Sequence, residues 1–80
     1  MLPEKFNIVI ASPCDYERLV AEIYYDGRYV AQVSQERDQG LFDIETPGPC
    51  LVEYRVLRKV DSAGFIQAVE AACKLLKGER

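Results

Sequence analysis

The chain contains no histidine and no tryptophan, and only one methionine and three cysteines among its 80 residues. Without histidine it lacks both the commonest general acid–base side chain and the commonest metal ligand. Cys14, Cys50 and Cys73 cannot all pair within one chain, and none lies in a CxxC spacing. A zinc ion would have to rely on scattered thiolates or carboxylates, so no metal and no cofactor is expected. Cys73 falls on the apolar stripe of a helix and reads as a small core residue, whereas Cys14 and Cys50 adjoin prolines in loops and read as reduced thiols. Gly27, Gly40, Gly48, Gly64 and Gly78 are isolated, so nothing resembles a phosphate-cradling loop. Ser12, Ser34 and Ser62 have no base nearby in sequence and there is no GxSxG elbow. No catalytic residue is therefore assigned, and the chain is expected not to be an enzyme. No apolar run approaches the roughly 20 residues of a membrane helix. The opening MLPEKFNIVIAS lacks the basic head and long apolar stretch of a signal peptide, so a cytoplasmic protein is expected.

What is present is the composition of one small globular domain covering residues 1–80, with 49% hydrophobic and 29% charged residues. The charge is uneven: residues 1–53 carry net −6 and residues 54–80 net +3, for a total of −3. An acidic chain is a poor nucleic-acid binder, because that function needs a concentrated basic footprint. Arg55, Arg58 and Lys59 form the only basic cluster and read as a solvated strand end.

The organising stretch is LVAEIYYDGRYVAQV, Leu19 to Val33, two β-rich runs joined at Asp26-Gly27. A two-residue type I′ loop would pair Tyr25 with Arg28 and mix apolar and polar side chains on each face. A three-residue loop, Tyr25 to Gly27 with a G1 bulge, places Leu19, Ala21 and Ile23 with Tyr29, Ala31 and Val33. The opposite face then carries Val20, Glu22, Tyr24, Arg28, Val30, Gln32 and Ser34. The second register is preferred because it leaves one face wholly apolar.

Around this hairpin, Phe6 to Ala11 reads as a first strand, broken by Ser12-Pro13. The hairpin strands span Arg18 to Tyr25 and Arg28 to Gln35. Glu36 to Gly40 reads as a polar turn, and Leu41 to Thr46 as a fourth strand with Phe42 and Ile44 alternating against Asp43 and Glu45. After Pro47-Gly48-Pro49, Leu51 to Val60 has strand composition, with a loop as the alternative. Asp61 or Ser62 caps a helix to about Lys77, whose stripe is Phe65, Ile66, Val69, Cys73 and Leu76, with Ala72 at the margin. The expected fold is α+β: an antiparallel sheet of four or five strands with one C-terminal helix packed on one face, the face of Leu19, Ala21, Ile23, Tyr29, Ala31 and Val33.

The face left uncovered is the candidate site. Glu22, Tyr24, Arg28, Gln32, Asp43 and Glu45 are assigned there as partner-binding residues, since an aromatic rimmed by charges suits a protein–protein contact. An ordinary mixed outer face is the other reading. Asp43 and Glu45 share a strand face and define the small-enzyme alternative, although strands alternate this way by default.

The segments Leu19 to Tyr24, Asp26-Gly27, Val30-Ala31 and Ser34 to Glu36, together with Phe65, Ala68, Glu70-Ala71 and Leu75-Leu76, resemble small bacterial immunity proteins that accompany polymorphic or contact-delivered toxins. The resemblance covers residues 19–36 and 65–76. It implies a non-enzymatic protein that neutralises a cognate toxin, for instance a nuclease, by tight contact as a monomer or homodimer. A second resemblance is to the sheet-and-helix domain of HicB-type antitoxins, of which this chain would hold only the toxin-facing part. A small adaptor or self-associating structural domain remains a further alternative.

Overall fold

The computed structural model describes residues 2–38, 40–49 and 52–78. Four strands, β1 (Phe6–Ala11), β2 (Val20–Tyr25), β3 (Arg28–Asp38) and β4 (Leu41–Glu45), form one antiparallel sheet in the order β1-β2-β3-β4. Among the described residues one α-helix, α1 (Ser62–Leu76), lies across one face. The expected α+β architecture is thus the observed one, with four strands. Two layers account for a thickness of 16 Å in a body otherwise 32 × 29 Å.

The hairpin turn differs from the expected one. Tyr25 pairs directly with Arg28, and Asp26 and Gly27 both take positive φ, +50° and +81°. This is the two-residue Asp-Gly turn whose backbone twist matches that of the flanking strands. The conflict between faces is resolved one step further along, by a bulge. Tyr24 pairs with Tyr29, but Ile23 pairs with Ala31 and Ala21 with Val33, leaving Val30 as the extra residue. Beyond the bulge the apolar set Ala21, Ile23, Ala31 and Val33 shares the helix face, as the alternation demanded, and all four are fully buried. Before it the assignments reverse: Tyr29 lies opposite Tyr24 on the outer face, and Arg28 goes with Tyr25 on the helix side. Val30 joins the helix-side core. Leu19 precedes the strand and is half exposed.

The expected fifth strand is a correction as well. Its first residue, Leu51, lies outside the described residues, as does Cys50. Glu53–Arg55 form a short 3-10 turn, and Val56 makes an isolated parallel bridge to Tyr29 in place of a strand. Leu57 N–H donates to the Tyr29 carbonyl at 2.9 Å. Arg58 explains why the segment folds back instead of extending. Its guanidinium grips both carboxylate oxygens of Glu53 (2.8 and 2.7 Å) and the carbonyls of Pro47 and Gly48 (3.0 and 2.9 Å). A planar fork with five donors is suited to tying these acceptors together.

The expected polar turn at Glu36 to Gly40 is shorter than the composition suggested, because Glu36, Arg37 and Asp38 remain in β3. Two of these charges fasten neighbours: Arg37 pairs with Asp43 across the strands at 2.8 Å, and Glu36 accepts the N–H groups of Glu17 and Arg18, both at 2.9 Å.

Helix α1 starts where expected. Asp61 accepts the Gly64 N–H at 2.8 Å, satisfying one of the orphan donors of the first turn. The buried line is Gly64, Ala68 and Ala72, one turn apart, flanked by the half-buried Phe65, Val69, Cys73 and Leu76. Ile66, expected on the stripe, is 58% exposed. The stripe is therefore rotated toward its small residues. They allow the helix backbone to approach the sheet so closely that a Cβ on Gly64 would stand 2.9 Å from the Phe6 ring. A glycine lowers helix propensity in the first turn, but in the fold Gly64 is the residue that admits Phe6.

Candidate protein-binding face

The outer face of the sheet is assembled from alternate residues of all four strands. Asn7, Val9 and Ala11 of β1 lie opposite Tyr24, Glu22 and Val20 of β2. Tyr29, Gln32 and Ser34 of β3 continue the face to Asp43 and Glu45 of β4. It is not uniformly open. The β1–β2 connection reaches back across it and is tied down at two points.

The first tie is Tyr16, whose hydroxyl donates to Glu45 Oε1 at 2.6 Å and accepts from Gln32 Nε2 at 2.9 Å. The second is Glu36 with the backbone of Glu17 and Arg18, reinforced by an Arg18 Nη1 bond to the Gln35 carbonyl at 3.0 Å. Under this cover Val20 is fully buried although it is no part of the helix-side core, and Ser34 and Gln32 are buried with it. Hydrogen bonds from Ser34 and then from Tyr16 hold the Glu45 carboxyl below its ordinary range. The same bond to Glu45 is the main cause raising the Tyr16 hydroxyl above its ordinary value, ahead of burial.

The half of the face nearer the Asp26-Gly27 turn carries a different group. Tyr24 and Tyr29 meet edge to face with ring centroids 5.7 Å apart. The Tyr24 hydroxyl donates to Glu22 Oε1 at 3.1 Å. Burial, and next Glu22, raise the Tyr24 hydroxyl; burial chiefly drives Tyr29 up to about 12. Val9 on the neighbouring edge is 40% exposed. Two half-buried aromatic rings, a carboxylate and an exposed aliphatic side chain thus share one patch.

No protein-family model, no curated protein and no solved structure matches this chain.

Of the six residues assigned from sequence, the structure brings Glu22 and Tyr24 together in this patch. Gln32 and Glu45 belong to the Tyr16 network under the β1–β2 connection, and Asp43 is engaged with Arg37 at the far rim. Arg28 pairs with Tyr25 and lies on the other side of the sheet. Tyr29 and Val9 are additions. The signal for Tyr29 is its distance from the turn: it is the second residue after Gly27, and a two-residue loop must put it opposite Tyr24.

A concavity of about 550 Å³ opens on the helix side, lined by Val30, Leu57, Val60 and Phe65 together with Thr46 and Pro47. Neither Asp43 nor Glu45 lines it. No helix among the described residues is long and apolar enough to cross a membrane.

Proposed function

We propose that the chain is a non-enzymatic binding protein whose contact surface is the turn-proximal half of the outer sheet face, and that its partner is a toxin which it neutralises. The observation that carries the reading is the Tyr24–Tyr29 pair, edge to face and half buried beside Glu22 on a face the helix leaves open. Rigid aromatics in a partly desolvated setting are the side chains that dominate protein interfaces. The toxin rests on the resemblance of residues 19–36 and 65–76 to immunity proteins, and the acidic half of the chain supports a basic partner surface such as a nuclease cleft. Net charge of −6 over residues 1–53 accelerates encounter with such a surface.

The test begins with capture of the partner on the parent chain in its native host, identified by mass spectrometry and then titrated as a purified protein. Tyr24→Ala should weaken binding by about 30-fold or more, the equivalent of about 2 kcal/mol, while the variant remains cooperatively folded at the assay temperature. Equal affinity of parent and variant removes the outer face from the contact. A captured partner that has no toxic activity removes the neutralising role but leaves the binding face standing.

A further inference from the structure

The sheet has two edges, and they are built differently. β4 carries Asp43 and Glu45 within five residues, and its neighbour Arg37 is paired across to Asp43. β1, Phe-Asn-Ile-Val-Ile-Ala, has no charge, no proline and an unbroken register with β2 over all six residues. Charges, prolines and bulges are the usual means by which an edge strand is kept from pairing with another chain, and β1 has none of them. Val9 on the outer side and Ile10 on the helix side are each 40% exposed.

The backbone bonds show which groups this edge offers. Asp26 N–H donates to the Lys5 carbonyl at 2.8 Å, and Phe6 N–H turns away from β2 to the Pro3 carbonyl at 3.2 Å. Bonding alternates residue by residue in an antiparallel ladder. Asn7, Val9 and Ala11 therefore direct their backbone groups at β2, and Ile8 and Ile10 direct theirs outward.

We propose that β1 is a homodimer interface, in which a second copy of the chain adds its own β1 antiparallel to the first and makes one continuous eight-stranded sheet. The register follows from the outward groups. Ile8 of each chain opposes Ile10 of the other, which forms two bonded pairs, and the two Val9 residues face each other on the two-fold axis. In this register Ile8 and Ile10 of both chains meet on the helix side and Val9 meets Val9 on the outer side, so each exposed aliphatic finds an aliphatic partner. Six uncharged residues opposing themselves create no like-charge contact. The same arrangement on β4 would set Asp43 against Asp43, which disfavours that edge. The interface shares Val9 with the outer-face patch, and it would bring two Tyr24–Tyr29 patches to the same side of one sheet.

Light scattering on the parent chain should give twice the 9.1 kDa chain mass. Val9→Lys and Val9→Glu should each be monomeric with an unchanged circular dichroism spectrum, and an equimolar mixture of the two should recover the dimer mass, because the opposed charges on the axis become complementary. A Val9→Cys variant reads the register without altering charge: directly opposed non-bonded pairs bring their Cα atoms to about 4.5 Å, within the range a disulfide spans. Mild oxidation should link position 9 to position 9, as mapped by peptide mass spectrometry. A parent chain that stays monomeric to millimolar concentration overturns the proposal. So does a dimer that persists in Val9→Lys, or an oxidised Val9→Cys chain linked only through Cys14.

Discussion

Replacing Gly64 by alanine sets two effects of known sign against each other. In a solvated helix the change stabilises, by about 0.8–1.0 kcal/mol of intrinsic propensity. Here the new Cβ would stand 2.9 Å from Phe6 Cε2, 3.6 Å from its Cζ and 3.4 Å from Asp61 Oδ2. The Phe6 ring has little freedom to yield: it is 8% exposed and held edge to face against Tyr25 at 4.9 Å. Overpacking of this kind typically costs about 1–3 kcal/mol, so the net effect is a loss of about 1 kcal/mol. For a domain of this size that lowers Tm by about 4–8 °C, readable in a thermal melt followed by circular dichroism. The cause can be isolated with a double-mutant cycle. In a Phe6→Leu background the obstructing ring is gone, and Gly64→Ala should turn from destabilising to neutral or stabilising, a coupling of about 1 kcal/mol or more. A single variant that melts above the parent would refute the close approach of helix and β1. So would equal effects of Gly64→Ala in both backgrounds.

Three further outcomes follow from the outer face. Tyr16→Phe should cost about 1–2 kcal/mol in urea unfolding, since it removes the donor to Glu45 and leaves Gln32, buried beneath the connection, short of a partner. Glu45 is held below its ordinary range, so its contribution is fully present above the unfolded carboxylate value of about 4.3 and is lost as pH falls through its folded value. Glu45→Gln should therefore flatten the acid limb of the stability curve; an unchanged limb would deny the Ser34 and Tyr16 bonds. In alkali, the near-ultraviolet absorbance of the phenolates should include one tyrosine titrating at about 12, abolished in Tyr29→Phe. Because that value is raised, the associated stability is intact below the ordinary tyrosine value of about 10 and falls as pH climbs toward 12.

The elements of this fold were legible where side-chain periodicity and local turn chemistry acted together. Phe6–Ala11, the two hairpin strands and the Asp61-capped helix all follow from alternation or helical spacing plus a breaker. The hairpin shows the limit of that reasoning. Apolar alternation correctly grouped Ala21, Ile23, Ala31 and Val33, and the Asp-Gly pair correctly marked the turn. The two signals conflict by one residue, however, and either a longer loop or a bulge can absorb that residue. The fold uses a bulge at Val30, because the two-residue turn has the better twist, and this relocates Tyr29 and Arg28.

Long-range side-chain bonds were the other hidden quantity. Nothing local to Gln32 or Glu45 shows that Tyr16, from a proline-broken connection, would close over them. Nor does the composition of the segment after Pro49 reveal that Arg58 would fold it back onto Glu53. Ile66 was misplaced for a related reason: hydrophobicity picks the largest side chains, whereas close packing against Phe6 selects Gly64, Ala68 and Ala72.

The contact surface is tested most directly by titrating the purified, captured partner against the parent chain and Tyr24→Ala side by side, with melts of both. Binding at least about 30-fold weaker is expected for the variant, with a cooperative melt above the assay temperature in both chains. Affinities that coincide, with both chains folded, would contradict it.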